Sequence, residues 1–268
     1  ASAEIEAGLR RALAEGGLEL HFQPQVDGSG WITGAEVLLR WRHPERGMVP
    51  PDEFVPVAER SGLIEAIGLW VLEASCLQLA TWADDPALGN LVLGINVSSR
   101  QFRQPEFGNQ VLETLEACGA RADRLKLELT ESLLLDDPTA TAGRMRMLKS
   151  HGLAFSLDDF GTGYSSLAYL QHLPLDEIKI DQRFVRSIDR SAGDRAIAHT
   201  IVALGDSLGL QVLAEGVETE AQRDALAAVG CARYQGYLFG RPRPLARFEA
   251  QVREQVARQA APVTQDDA

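Results

Sequence analysis

Two adjacent carboxylates at the end of an apolar run are the residues of this chain best suited to chemistry. Asp158 and Asp159 follow residues 154–157, a run typical of a buried strand, and they precede a loop bounded by Gly161 and Gly163. Neighbouring carboxylates repel each other unless a cation, a basic group or a proton neutralises them, and hard divalent ions such as Mg²⁺ prefer carboxylate oxygens. The pair therefore indicates a metal site. For an isolated pair, a helix N-cap or a solvated turn is the alternative.

Polar and charged side chains recur at the ends of the other apolar runs. They are Asn96, Glu128, Glu131, Lys179, Asp181, Glu215, Glu218 and Gln235. In a (β/α) barrel the carboxyl ends of the strands converge on one mouth, where barrel enzymes hold their chemistry, so we expect a shared site. Taken alone, each of these residues could also have a purely structural role. Asn96 fits a turn, Lys179 fits a buried stem with its ammonium in solvent, and Glu218 fits the approach to a helix N-cap.

Residues 34–41 add a carboxylate and a guanidinium to this set. Glu36, Leu38 and Arg40 share one face of a predicted strand, because successive side chains alternate between faces. Two charged side chains on an inward face cost free energy unless they are paired or liganded. Either Glu36 and Arg40 form a buried ion pair, or Glu36 binds metal while the forked donors of Arg40 bind phosphate.

The elements that must position these residues follow a β/α rhythm. Strand-like runs lie at residues 18–26, 31–41, 91–97, 125–130, 154–157, 177–180, 212–214 and 232–238. Helical patterns such as 64–82 and 195–208 separate the later runs, whereas the polar turn 27–30 joins the first two into an antiparallel hairpin. Eight strands with helices between the later ones favour a closed (β/α)8 barrel, with its first strand reversed, over a flat doubly wound sheet.

Composition narrows the class of protein and of partner. The chain has 268 residues, 45% of them apolar, which fits one barrel of catalytic size. Its formal net charge of −12 argues against a nucleic-acid polymer as partner. Three cysteines without paired spacing argue against a disulfide framework or a thiolate zinc site. No apolar run approaches the roughly 20 residues of a membrane span. We therefore expect a cytoplasmic chain without direct membrane contact, although regions outside this chain could anchor the full-length protein.

The ends of the chain read differently from the barrel. We predict an N-terminal helix in residues 1–16, the barrel in residues 17–255 and a polar tail in residues 256–268. The helix either links the barrel to an upstream domain or caps the bottom of the barrel.

These residues together resemble the EAL-domain family of cyclic-di-GMP phosphodiesterases, over residues 18–244. The signature stands here as Glu36-Val37-Leu38 followed by Leu39-Arg40, with valine where the family name has alanine. The other motifs follow in order: Asn96-Val97-Ser98, Glu128-Leu129-Thr130-Glu131-Ser132, Asp158-Asp159-Phe160-Gly161-Thr162-Gly163, Lys179-Ile180-Asp181, Glu215-Gly216-Val217-Glu218 and Gln235-Gly236-Tyr237-Leu238-Phe239-Gly240.

The resemblance implies a fold, a reaction and a set of metal ligands. The fold would be a modified TIM (β/α)8 barrel whose first strand is antiparallel, and the reaction would convert cyclic-di-GMP to linear 5′-pGpG with two divalent cations, Mg²⁺ or Mn²⁺. The implied ligands are Glu36, Asn96, Glu128, Asp158, Asp159 and Glu215, with Asp158 shared by both cations. Lys179 would orient the attacking water and stabilise charge, and Glu215 is the better candidate if a protein base is needed.

The resemblance also implies roles around the metal ligands. Gln23 and Arg40 would face the substrate. Gln235, Asp181 and Glu218 would support the metal cluster from outside. Glu131 would anchor the loop at residues 159–167, which in the family links metal binding to homodimer contacts. The full-length protein would be a bacterial signalling protein with an upstream sensory or GGDEF-type domain.

Two functions of other classes stay open. One is a cyclic-di-GMP receptor that keeps the fold without turnover, although relatives of that kind usually lose metal ligands that are all present here. The other is a lyase or enolase-like barrel with a lysine base, which explains the acids but not the Asp158-Asp159-Phe160-Gly161 loop.

Overall fold

A sheet of ten strands runs through the part of the chain that the computed structural model describes, residues 2–131, 133, 137–161 and 170–260. In chain order the strands are β1 (Leu18–Asp27), β2 (Ile32–His43), β3 (Gly47–Val49), β4 (Val92–Val97), β5 (Leu125–Thr130), β6 (Ala154–Phe160), β7 (Glu177–Ile180), β8 (Gln211–Ala214), β9 (Arg233–Gln235) and β10 (Arg243–Pro244). Because β1 pairs with both β2 and β9, eight strands close into a barrel, and β3 and β10 extend the sheet outside the ring.

Helices surround this barrel. Within the described residues they are α1 (Ser2–Glu15), α2 (Pro51–Ser61), α3 (Leu63–Trp82), α4 (Ser99–Arg103), α5 (Phe107–Cys118), α6 (Pro138–Lys149), α7 (Gln182–Val185), α8 (Ala192–Leu208), α9 (Glu220–Ala228) and α10 (Leu245–Ala260), with a 3₁₀ turn at Ala122–Arg124. The alternation of later strands with helices confirms the predicted (β/α)8 architecture.

The direction of β1 sets this barrel apart from a fully parallel one. β1 is antiparallel to both of its ring neighbours, and the remaining neighbouring ring strands pair in parallel. The predicted polar turn makes the reversal, since the Asp27 carboxylate accepts from the backbone N–H groups of Ser29 and Trp31. The hairpin register places Gln23 opposite Glu36, so β1 contributes side chains to the same interior as β2.

Two predicted strands end three residues away from their positions in the structure, at Phe160 instead of 157 and at Gln235 instead of 238. β6 continues through both aspartates to Phe160, which pairs with Ile180 after an irregularity in the register. Asp158 and Asp159 therefore belong to the strand and do not follow it. β9 spans only Arg233–Gln235 instead of residues 232–238, because the chain turns at Gly236, whose carbonyl accepts from the N–H groups of Phe239 and Gly240.

Helix α3 corrects the expectation that no apolar run approaches the length of a membrane span. It has 20 residues and is apolar enough to cross a membrane by length and composition alone, a test that the core helices of globular proteins also pass. Its side chains Ile67, Leu72 and Cys76 are buried in the hydrophobic core of the protein. Packing against the barrel accounts for the apolar character of this face of the helix.

Helix α1 packs directly on the barrel wall. Ile5, Leu9 and Ala12 are buried, and a side chain at Gly8 would collide with the ring of Trp41 on β2. The contact places α1 against the carboxyl-terminal part of β2, and both alternatives for this helix, the linker and the cap of the barrel bottom, stay predictions. At the other end, α10 continues to Ala260, and the remainder of the predicted polar tail lies outside the described residues.

Candidate active site

Polar side chains inside the barrel lie in two layers, because inward-facing residues repeat every second position along a strand. The upper layer carries Glu128 on β5 and Lys179 on β7, and the lower layer carries Lys126 and Glu177 on the same two strands. All four side chains are buried. The predicted site residues belong to the upper layer and to the strand ends above it.

Lys179 is the centre of the upper layer. Its ammonium is fully buried and contacts four carboxylates: it lies 2.9 Å from Glu215 Oε1, 3.4 Å from Glu36 Oε2, 3.8 Å from Asp158 Oδ1 and in close contact with Glu128 Oε2. Burial disfavours the charged amine, but the surrounding carboxylates outweigh burial and hold the pKa of Lys179 well above its usual value. Lys179 is therefore a cation in the site, and its ammonium does not reach solvent.

The carboxylates around Lys179 carry more negative charge than one ammonium can balance. Burial, followed by repulsion from Glu36 and Asp158 against the pull of Lys179, raises the pKa of Glu128 to about 7. Burial and the Asp158 charge likewise raise the pKa of Glu215 well above its ordinary value. The cluster thus binds protons that a bound cation would replace.

Glu36 is the best-supported carboxylate of the cluster. Asn96 Nδ2 donates to Glu36 Oε1 at 2.7 Å, and Gln235 Nε2 donates to Glu36 Oε2 at 2.5 Å. Burial opposes ionisation, but Lys179 and these two amides lower the pKa of Glu36 below its ordinary value. Since Asn96 uses its NH₂ group here, its carbonyl oxygen is left to face elsewhere.

Asp159 forms a hydrogen bond with Asp181. It is the one residue other than glycine with a positive φ among the described residues, at 56°, a conformation that Asp tolerates better than most side chains. Burial, the Asp158 charge and a hydrogen bond with Asp181 raise the pKa of Asp159 to about 6. Asp181 is also the N-cap of α7, where it accepts from the Arg183 N–H at 2.7 Å.

The donor chemistry of the cluster fits hard divalent cations. One oxygen of the buried Glu128 carboxylate, Oε1, has no hydrogen-bond partner among residues 2–131, 133, 137–161 and 170–260. It lies over Gly94, where a Cβ would come within 2.1 Å of it. Carboxylate and amide oxygens are the ligands that Mg²⁺ and Mn²⁺ accept. Among the described residues, no three His, Cys, Asp or Glu side chains surround a common point as metal ligands, because the carboxylates converge on Lys179 instead.

The two residues predicted to face substrate lie in different surroundings. Gln23 is buried and donates to the Gly240 carbonyl at 3.3 Å while it accepts from Gln235. Arg40 is half-buried, and its Nη1 donates to the Leu39 carbonyl. Within the described residues Arg40 forms no ion pair with Glu36, so the alternative of a buried Glu36–Arg40 pair is wrong. The guanidinium and the carboxylate are held by separate partners.

Two further predicted residues stand apart from the Lys179 cluster. Glu218 is exposed and immediately precedes Thr219, the N-cap of α9, which matches its structural reading. Glu131 is buried, and within the part of the chain that the structure describes neither of its carboxylate oxygens has a hydrogen-bond partner. The loop segment that Glu131 was predicted to anchor lies largely outside the described residues, at 162–169, so that role stays a prediction.

The sequence reasoning missed the lower layer of polar residues. Lys126 Nζ donates to Glu177 Oε1 at 2.6 Å and to Gln25 Oε1 at 3.1 Å, and Ser156 Oγ donates to Glu177 Oε1 at 2.9 Å. A signal was present, because each of these residues lies two positions below a predicted site residue on a strand, as Lys126 does below Glu128. Charged residues inside apolar runs at this spacing must face one another or a ligand.

Comparisons with known proteins place this geometry among its relatives. The family model for the EAL domain matches residues 6–242. The bifunctional diguanylate cyclase/cyclic di-GMP phosphodiesterase MucR of Pseudomonas aeruginosa is 42% identical over 245 residues, which cover 91% of this chain and 36% of MucR. The cyclic di-GMP phosphodiesterase NbdA of the same organism is 40% identical over 247 residues, covering 92% of this chain and 31% of NbdA. The chain spans about a third of the length of these relatives.

Solved structures agree with the fold. The structure of PaMucR phosphodiesterase in complex with c-di-GMP superposes with a TM-score of 0.88 at 41% identity, covering 91% of this chain and 99% of that one. The EAL domain of Mycobacterium smegmatis DcpA superposes with a TM-score of 0.75 at 33% identity, covering 90% of this chain and 97% of that one. The predicted modified TIM barrel with a reversed first strand is confirmed.

Proposed function

Since the chain belongs to the EAL domain family, we propose that it is a metal-dependent phosphodiesterase that hydrolyses cyclic-di-GMP to linear 5′-pGpG. One observation carries the proposal: four carboxylates converge on one buried ammonium at the mouth of the barrel, leaving a surplus of negative charge. Such a surplus stabilises nothing in the isolated fold, whereas it suits the binding of divalent cations. The relatives named as cyclic di-GMP phosphodiesterases support the choice of substrate.

The upper layer and the strand ends supply the metal ligands in this proposal. Two cations, Mg²⁺ or Mn²⁺, would be held by Glu36, Asn96, Glu128, Asp158, Asp159 and Glu215. When bound, such cations polarise the phosphoryl oxygens and supply a nucleophile at neutral pH. For Asp159 to join, its hydrogen bond with Asp181 must give way to the cation.

The charge states of Lys179, Glu215 and Glu36 give these side chains different roles in the proposed reaction. Lys179 is held protonated by its neighbours, so it stabilises negative charge on the reacting phosphate and orients water without acting as a base. Burial and the charge of Asp158 raise the pKa of Glu215 well above its ordinary value, which makes its ionised carboxylate a stronger base. If a protein base takes part, Glu215 is therefore that base. Glu36 is fixed by two amides and serves as a ligand of constant charge.

Substrate contacts follow from the rim of the barrel. Arg40 is half-buried and free of an ion pair with Glu36, so its forked donors can bind a phosphate of the dinucleotide. Gln23 lies beside Gln235 and is expected to face the substrate from β1. The chain has a net charge of −12, so an anionic substrate would bind through local positive groups such as Arg40 and through bound cations.

The wider setting of the chain is also part of the proposal. We expect a cytoplasmic domain that forms a homodimer through contacts involving the loop at residues 159–167. The relatives MucR and NbdA are about three times as long as this chain, which is consistent with an upstream sensory or GGDEF-type domain. Neither a nucleic-acid polymer nor a membrane is expected to contact this chain directly.

Turnover of cyclic-di-GMP tests the function. The purified chain is incubated with cyclic-di-GMP and Mg²⁺, Mn²⁺, Ca²⁺ or EDTA, and the products are separated by chromatography. We expect pGpG with Mg²⁺ or Mn²⁺ and none with EDTA. Asp158→Asn should abolish the product, whereas Asp224→Asn, on the exposed face of α9, should not. Tight cyclic-di-GMP binding with no pGpG under any metal would establish the receptor function instead. The absence of both binding and turnover would contradict the proposed substrate.

A further inference from the structure

We infer that Gln25, held by Lys126, is a positioning residue that fixes the direction of the Gln235 amide and thereby the carboxylate of Glu36. The inference rests on the proposed function, because Glu36 matters there as a metal ligand. It assigns a task to the lower polar layer of the barrel, which neither the sequence motifs nor the site described above explains.

A continuous path of hydrogen bonds connects the two layers. Lys126 Nζ donates to Gln25 Oε1 at 3.1 Å, and Gln25 Nε2 donates to Gln235 Oε1 at 2.8 Å. Gln235 Nε2 then donates to Glu36 Oε2 at 2.5 Å and to Gln23 Oε1 at 3.1 Å. Every donor in this path points from the lower layer toward the upper one. Gln25 and Gln235 are both buried, with 4% of each exposed, so water does not substitute for these contacts.

Lys126 sets the direction of the path. A lysine ammonium has donors and no acceptor, whereas a glutamine amide offers both and reverses them by rotating half a turn. Lys126 therefore requires the oxygen of Gln25 to face it, and the Gln25 NH₂ group must then face Gln235. The ammonium is itself held by Glu177 Oε1 at 2.6 Å, and Ser156 Oγ donates to the same oxygen at 2.9 Å.

The direction of the Gln235 amide decides what Glu36 meets. In the observed orientation Gln235 gives the carboxylate an N–H donor. Rotated by half a turn, Gln235 would present its carbonyl oxygen to Glu36 Oε2 and to Gln23 Oε1, two acceptors, and the carboxylate would move away. Partners that orient a metal ligand from outside the coordination shell typically change metal affinity by about 10- to 100-fold when they are replaced.

A pair of substitutions at Gln25 tests the direction of the path. In Gln25→Glu the new carboxylate still accepts from Lys126 but cannot donate to Gln235, so the Gln235 amide turns its NH₂ group toward position 25. In Gln25→Met both the acceptor for Lys126 and the donor to Gln235 are lost, but no carboxylate is added that would turn the Gln235 amide. Gln211→Glu, at the exposed start of β8, is the control for added charge. The readouts are the affinity for Mn²⁺ without substrate, by calorimetry, and the side-chain amide signal of Gln235 in the metal-free protein, by NMR.

We expect Gln25→Glu to weaken Mn²⁺ binding by about tenfold, Gln25→Met to weaken it less, and Gln211→Glu to leave it unchanged. A purely electrostatic effect of the new charge would strengthen Mn²⁺ binding in Gln25→Glu, and a purely steric role would make Gln25→Met the weaker binder. Either result would overturn the inference. So would an unshifted Gln235 amide signal in Gln25→Glu.

The two readouts separate this inference from the proposed function. If the wild-type chain bound no Mn²⁺, the proposed metal site would fail, while the Gln235 amide signal would still report on the path. If Gln25→Glu does not fold, the double variant Lys126→Met/Glu177→Met removes the donor from the other end without leaving a buried charge alone. It should move the Gln235 signal, while Lys126→Arg, which keeps a donor, should preserve it.

Discussion

The barrel interior contains two buried lysines whose surroundings differ in charge. In the lower layer, Lys126 is in close contact with the Glu177 carboxylate and the neutral Gln25, and Glu128 Oε1 lies 4.0 Å from its ammonium. In the upper layer, Lys179 contacts four carboxylates, those of Glu36, Glu128, Asp158 and Glu215. The lower layer is close to electrical balance, whereas the upper layer is strongly negative.

Two buried glutamates, one in each layer, show how this difference in charge changes the pKa of an acid. Glu177 and Glu128 are both buried, and burial disfavours ionisation of each. At Glu177, Lys126 outweighs burial and the pKa falls below its ordinary value. At Glu128, burial and neighbouring carboxylates raise the pKa to about 7, despite the contact with Lys179. Burial of an acid therefore does not identify a site; an uncompensated group of buried acids does.

The largest expected effect is a loss of catalytic activity when a carboxylate of the upper layer is replaced. In Glu128→Gln a metal ligand loses its charge, so we expect kcat/KM for cyclic-di-GMP to fall by about 1,000-fold, corresponding to about 4 kcal/mol of transition-state stabilisation. The stability of the metal-free protein should stay equal or rise, because a repelled carboxylate is removed. Steady-state kinetics and urea unfolding in EDTA check both. Near-normal turnover would remove Glu128 from the metal site.

Replacing a glutamate of the lower layer by glutamine should lower the stability of the protein more than its activity. Glu177→Gln removes the carboxylate closest to Lys126 and leaves only the more distant Glu128 Oε1 at 4.0 Å among the described residues, so we expect the free energy of unfolding to fall by about 3 kcal/mol. Because Lys126 still donates to Gln25, kcat/KM at a temperature where the variant is folded should fall less than about tenfold. Unfolding in urea, monitored by circular dichroism, measures the first quantity. A stability equal to that of wild type would show that the lower layer is not a structural ion pair.

Metal binding should stabilise the protein only through the upper layer. At a free Mn²⁺ concentration 100 times the dissociation constant, the gain in unfolding free energy is about 2.7 kcal/mol. We expect this gain for the wild type and for Glu177→Gln, and its loss in Glu128→Gln. Thermal unfolding with Mn²⁺ and with EDTA tests the pattern. Equal stabilisation of all three proteins would place the cation elsewhere.

The pH dependence of the metal-free protein follows from the raised pKa values. Glu128 has a pKa of about 7 in the folded state against an ordinary value of 4.5, so the folded protein binds more protons than the unfolded chain between these values. Stability is therefore highest at the acid side of this interval and falls as pH rises toward 7. In EDTA we expect the free energy of unfolding to fall by roughly 2 kcal/mol between pH 5 and pH 8, because each unit by which the folded-state pKa is raised corresponds to about 1.36 kcal/mol. Glu128→Gln should show a smaller loss, and a rise in stability over this range would contradict the assignment.

The smallest effect concerns Glu218, which the family motif includes but the cluster does not. Its side chain is exposed beside the N-cap of α9. Glu218→Gln should therefore leave kcat/KM within about twofold and the melting temperature within about 2 °C of wild type. A large loss of activity with unchanged stability would show that Glu218 reaches the site when substrate is bound.

The sequence by itself determined the chemical inventory of the site and the reversal of the first strand. The polar turn at residues 27–30 between two strand-like runs requires a hairpin whatever the rest of the fold does. The position of Lys179 two residues above Glu177, and of Glu128 two above Lys126, likewise follows from the period of a strand. Local geometry carries these predictions, because it depends on a few neighbouring residues.

Only the tertiary structure decided which of these charges meet. Lys126 and Glu177 are 51 residues apart, as are Glu128 and Lys179, and each pair lies on two strands separated by β6. Whether an inward acid meets a lysine or another acid depends on the order of the strands and on the closure of the barrel. That is why the sequence could place Glu177 and Glu128 on strands, while the fold alone gave them opposite pKa shifts.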